Sequence, residues 1–121
     1  MFMFEDSDQL WWGLGYCAFM LILALLFRSN PPKKINHIYG YRTTRSMKNQ
    51  KVWDASNTYS SGLMVRFCLY SFILPLIFYF LLPGWNFLLT VIGNTLWIVL
   101  IYFYTEKYLQ DHFDEEGNQL K

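Results

Sequence analysis

Charge is missing from three long stretches of this chain, and that absence excludes a water-soluble bundle. Leu10–Phe27 and Phe87–Tyr104 contain no Asp, Glu, Lys or Arg, and Leu63–Leu82 contains only Arg66. A helix on the surface of a soluble protein needs a polar face recurring every 3.6 residues or about that, and none of the three runs has one. Cysteine is scarce. Cys17 and Cys68 both lie inside apolar runs, which argues against a disulfide framework or a Cys-based metal site. Glycine-rich phosphate loops are lacking: Gly40 stands alone, with no GxxxxGK(S/T) or GxGxxG around it. No serine has a His and an Asp at recognisable spacing. His37 and His112 are isolated in sequence, and a zinc site built from them and the tail carboxylates lacks ligand spacing. No catalytic residue, metal or cofactor is therefore expected, and the chain has neither an internal repeat nor a low-complexity segment.

What is present is hydrocarbon in blocks. Leu10–Phe27 is long enough, at a rise of 1.5 Å per residue, to reach about 27 Å, close to the thickness of a bilayer core. The expected fold is all-α: an integral membrane protein with three transmembrane helices over residues 10–27, 63–82 and 87–104. Residues 1–9 form an external tail, 83–86 an external turn and 105–121 an acidic cytoplasmic tail. The first run is not read as a cleaved signal peptide, because the residues ahead of it, FEDSD, are acidic and no small-residue cleavage site follows.

Residues 28–62 carry seven of the ten Lys and Arg residues against one acid, Asp54, a local net charge of +6 in a chain of net charge +1. Residues 1–9 and 83–86 hold no Lys or Arg. By the positive-inside rule the basic loop is cytoplasmic, the N-terminus outside and the C-terminus inside. Anionic lipid explains such a loop beside a bilayer, so nucleic acid is not an expected partner.

Within the loop, Pro31 and Pro32 end the first helix. Ser46 is the expected N-cap, with Asn49 three residues on, for an amphipathic helix over Met47–Ser61 lying in the interface. Gly62 marks either a hinge or a smooth join to the second span. Arg66 extends back to the headgroups, Pro75 kinks the second helix, and the amide of Asn94, deep in the third, must face another helix. Gly13, Gly15 and Ala18 leave a small-residue patch on the first helix.

The basic, hydroxyl-rich and aromatic surface of Asn36, Tyr39, Gly40, Tyr41, Arg42, Thr43, Trp53 and Asn57 is the candidate binding site, with Arg66 beside it. Its arginine fork matches phosphate or carboxylate. The run N-x-x-x-G-Y-R-T at Asn36–Thr43, followed by Trp53, Asn57 and Gly62, resembles the signature of the SdpI-type bacterial membrane protein family, over roughly residues 20–100. The resemblance implies an inner-membrane location. For the best-known member, a longer protein with additional membrane helices ahead of this unit, it implies immunity to a secreted killing factor coupled to capture of a transcriptional repressor.

Three functions are expected to compete. The first is a non-enzymatic immunity or signalling protein whose basic loop binds a partner protein, a toxin or a regulator. The second is an anionic-lipid-handling accessory factor or small transporter, with Arg42 and Arg66 clamping phosphate and Asn94 lining a path. The third is a structural subunit of a homo-oligomer or larger membrane complex, packed through Gly13, Gly15 and Asn94.

Overall fold

The computed structural model describes residues 6–120, and every element named in it is helical. The chain is an integral membrane protein with three segments long and apolar enough to cross a bilayer, Asp6–Ser29, Gln50–Leu81 and Pro83–His112. The elements are α1 (Asp6–Ser29), α2 (Gln50–Tyr70), α3 (Ile73–Leu81), a 3-10 turn (Pro83–Trp85) and α4 (Asn86–His112). Residues 1–5 of the tail expected over 1–9 lie outside the described residues, and the chain is already helical from Asp6.

The first helix extends past its uncharged run at both ends. Asp6 and Asp8 occupy its first turn and Arg28 its last, each sign placed where the helix dipole favours it. The second begins at Asn49, not Ser46: the Asn49 side chain accepts a hydrogen bond from the Val52 amide at 2.9 Å. Ser46 is occupied elsewhere, because its hydroxyl accepts from the Thr43 amide at 2.8 Å. The interfacial stretch is thus continuous with the second span, in one helix that runs through Gly62 to Tyr70. A β-carbon at Gly62 would come 2.7 Å from Arg28 Nη1, so the missing side chain admits the guanidinium ending α1 and no hinge forms.

The break between α2 and α3 has a definite cause. Pro75 has no amide to donate to the Ser71 carbonyl. That carbonyl instead accepts from the Leu74 amide at 3.0 Å and from the Cys17 thiol at 3.5 Å. The expected kink therefore falls one turn ahead of the proline, and Ser71 and Phe72 pass between the two helices.

The bundle is inverted relative to a soluble protein. Buried side chains include Gln9, Ser56, Asn57, Ser60, Ser61, Ser71, Asn86, Thr90, Asn94 and Thr105, while Trp11, Ile22, Phe80 and Leu81 face outward. Hydrocarbon outside removes the drive to bury apolar groups, so close approach and interhelical hydrogen bonds hold the helices together. Gly13 meets Pro75, whose Cβ would lie 2.9 Å from an added Cβ, whereas Gly15 has nothing within 4 Å and faces outward. Asn94 is buried as expected, donating to the Thr90 carbonyl at 3.0 Å with Cys17 Sγ of α1 at 3.8 Å.

At the hairpin end, the Gln9 side chain donates to the Gly84 carbonyl at 3.0 Å and accepts from the Phe87 amide at 3.2 Å. Asn86 donates to the Pro75 carbonyl at 2.9 Å and accepts from Thr90 Oγ1 at 3.2 Å. At the basic end α4 continues past residue 104 to His112, and the chain then folds back through an antiparallel bridge between Phe113 and Gln119. This return packs on α2: Val52, Leu109 and Phe113 form a buried apolar cluster, and Asn49 Nδ2 donates to the Gly117 carbonyl at 2.9 Å.

Candidate functional site

Residues 30–49 leave the membrane helices and fold over the basic end as a cap, held by one buried amide. Asn57, on α2 and 1 % exposed, accepts from the Tyr41 amide at 2.7 Å and donates to the Trp53 carbonyl at 2.9 Å. One turn earlier, Trp53 is fully buried and its indole donates to the Pro32 carbonyl at 2.9 Å. Between these anchors Gly40 has φ of +105°, and a β-carbon there would lie 2.5 Å from Pro32 Cγ and 2.6 Å from Asn57 Oδ1. Both the left-handed backbone and the close approach require glycine. Gly40, Tyr41, Trp53 and Asn57 are thereby brought together as the joint between loop and helix.

The remaining motif residues shape the loop tip. Asn36 Oδ1 accepts from the Ile38 and Tyr39 amides at 2.9 and 2.7 Å, the side-chain turn that favours asparagine in such bends. Tyr39 donates to the Asn30 carbonyl at 2.5 Å, and Arg42 donates to the His37 carbonyl. This tip exposes Lys33, Lys34, Ile38, Tyr39 and Arg42, with Ile38 87 % exposed. Arg66 is set apart from the cap, exposed on α2 in a cleft of about 240 Å³ with Tyr59, Phe67, Tyr70 and Tyr104.

A residue that the sequence reading left in the acidic tail completes the site. Glu106 Oε2, on α4, accepts from the Tyr41 hydroxyl at 2.5 Å and from Thr43 Oγ1 at 3.0 Å, while Oε1 lies 3.7 Å from Arg45 Nε. Burial, and next the hydrogen bond to the Glu106 carboxylate, hold the Tyr41 phenol above its ordinary 10.0, so it stays a neutral donor. Thr43 also accepts from the Ser46 amide at 3.1 Å, which makes Ser46 a second residue missed. Glu106 is the first charge after the uncharged third run, a position that signals the membrane boundary on α4 but not its hydroxyl partners. Among the described residues no group of three or more His, Cys, Asp or Glu is placed to hold a metal ion.

The cap therefore defines a class: a three-span membrane protein whose polar loop is fastened to its own helices rather than loose in water. The chain belongs to the SdpI/YfhL protein family, whose model matches residues 33–105, most of the cap and most of the two spans after it. It is similar to the uncharacterized protein YfhL of Bacillus subtilis (strain 168), 47 % identical over 53 residues that make up 44 % of this chain and 48 % of that relative. The match thus spans about half of the relative's length. No solved structure matches.

Proposed function

We propose that this is a non-enzymatic protein of immunity or signal-transduction type in the bacterial inner membrane. Its basic cap faces the cytoplasm and binds or holds a partner protein, a toxin or a regulator. Seven of the ten Lys and Arg residues in the segment 28–62 support that sidedness. The observation that carries the reading is the division of labour within the motif. Gly40, Trp53 and Asn57 are spent inside the protein, and the exposed loop tip they fix carries Ile38 and Tyr39 together with three cations, Lys33, Lys34 and Arg42. A loop fastened by its own hydrogen bonds loses less entropy on binding than a loose one, and its chemistry suits an acidic partner surface with an apolar dimple.

A photo-crosslinking side chain at Ile38, in the native host membrane, tests this. A discrete protein adduct is expected, and Arg42→Ala should reduce it strongly while leaving insertion and expression intact. No adduct from a correctly inserted protein, or cap labelling from outside intact cells, removes the proposal.

One observation favours a second reading, lipid handling. An apolar groove of about 450 Å³ runs between Leu23 and Phe27 of α1 and Ile98 and Ile101 of α4, beneath Tyr39–Tyr41, and it suits the acyl chain of an anionic lipid. Met64 of α2 also lines this groove, and filling it with Met64→Trp should lower the anionic lipid retained in native mass spectrometry. Unchanged retention ends that reading.

A further inference from the structure

On another side of the cap lies a cavity of about 350 Å³, walled by Thr44, Arg45 and Lys48 of the loop and by Tyr102, Glu106 and Glu115 of α4 and the returning tail. Its two cations come from the loop and its two carboxylates from the other wall, so it is neutral in sum but divided in sign. A simple anion placed there meets Glu106 and Glu115, and a simple cation meets Arg45 and Lys48. A ligand carrying both charges a few ångströms apart satisfies each wall.

One polar atom behind the cavity wall is left without a partner. Arg45 Nε is buried and makes no hydrogen bond. Glu106 Oε1 lies 3.7 Å from it, too far to accept one, while both hydroxyl donors go to Oε2. A buried donor without a partner costs free energy, and at 3.7 Å the Arg45 guanidinium is only loosely paired with Glu106. The depth of the cavity narrows the source. Tyr102, Phe103 and Tyr104 are exposed on α4 immediately before its first charge, Glu106, which is the aromatic placement found at the headgroup layer.

We propose that this cavity binds the phosphoethanolamine headgroup of a phospholipid, its phosphate on Arg45 and Lys48 and its ammonium on Glu106 and Glu115. The primary ammonium donates hydrogen bonds to both carboxylates, whereas the trimethylated choline analogue donates none and a glycerol headgroup brings no cation. This site is separate from the partner-binding strip at the loop tip and does not depend on it.

The test uses the full chain in nanodiscs holding equal fractions of phosphatidylethanolamine, phosphatidylcholine and phosphatidylglycerol with identical acyl chains, read by native mass spectrometry of the ejected protein. Phosphatidylethanolamine should be retained about threefold or more over either competitor. Glu115 is exposed, so its variants spare the fold, and an unchanged melting temperature verifies this. Glu115→Gln should bring retention of phosphatidylethanolamine down to that of phosphatidylcholine, and Glu115→Lys should turn the preference to phosphatidylglycerol. Equal retention of the three lipids, or an unaltered preference in Glu115→Gln, overturns the proposal. So does stabilisation by soluble glycerophosphoethanolamine without enrichment of the lipid, which would assign the cavity to a water-soluble ligand.

Discussion

The two ends of this bundle solve the same problem with different chemistry. At the hairpin end, Gln9, Asn86 and Thr90 tie α1, α3 and α4 together through neutral amides and a hydroxyl, each bonded to a backbone group or to its neighbour. At the basic end, Asn57 does similar work for the loop, but a carboxylate and a guanidinium are added, with Glu106 gathering Tyr41, Thr43 and Arg45. Charge enters only where water can reach it: Arg45 and Glu106 keep 29 % and 17 % of their side-chain surface exposed. A neutral network is insensitive to salt and pH, whereas a charged one can respond to both.

The largest expected effect breaks the basic end alone. Gly40→Ala forces a side chain onto positive φ and into Pro32 and Asn57, and should cost roughly 2–4 kcal/mol in unfolding from mild detergent. A melting curve equal to the wild type would mean that the cap contributes nothing to stability. Next, Asn86→Leu at the opposite end leaves the Pro75 carbonyl and the Thr90 hydroxyl without their partner. A loss of about 1–2 kcal/mol is expected by the same assay, equal at low and high salt. Glu106→Gln keeps acceptors for Tyr41 and Thr43 but removes the partly exposed ion pair, and should cost roughly 0.5–1 kcal/mol at low salt and less at high salt. A salt response at Asn86 and none at Glu106 would reverse the contrast.

The smallest effect is alkaline. Because the Tyr41 pKa is raised above 10.0 by folding, the folded state holds this proton more tightly than the unfolded chain. Its contribution is intact below pH 10 and is lost as the pH climbs from there toward the higher folded value. Tyr41→Phe, with no proton to lose, should melt with a shallower decline between pH 10 and 11, about the range an unperturbed tyrosine titrates.

The spans were legible because an uncharged run has one physical outcome in a bilayer. Their ends were less so, since Asp6–Gln9 and Thr105–His112 are helical beyond the oily stretch that marks them, where Gln9 bonds to the hairpin turn and Leu109 packs on α2. The junction at Gly62 was ambiguous, because a glycine gives a hinge or a join depending on what lies over it, and Arg28 is far away in sequence. Motif residues told a half-truth. Gly40, Trp53 and Asn57 do meet at one joint while Asn36 turns the loop tip, yet all four serve the shape of the loop rather than its surface. Glu106 stayed hidden because an acid in a tail with five acids and two lysines looks like solvated charge until Tyr41 and Thr43 are folded onto it.

The inverted interior also constrains how the protein is made. Gln9, Gly13 and Cys17 lie on the face of α1 that meets α3, α4 and the turn between them. When α1 leaves the translocon those partners have not been synthesised, so its polar flank must be tolerated by lipid or shielded by the insertion machinery. Only arrival of the last hairpin closes that flank, which makes the C-terminal half the step that commits the nascent chain to its final assembly.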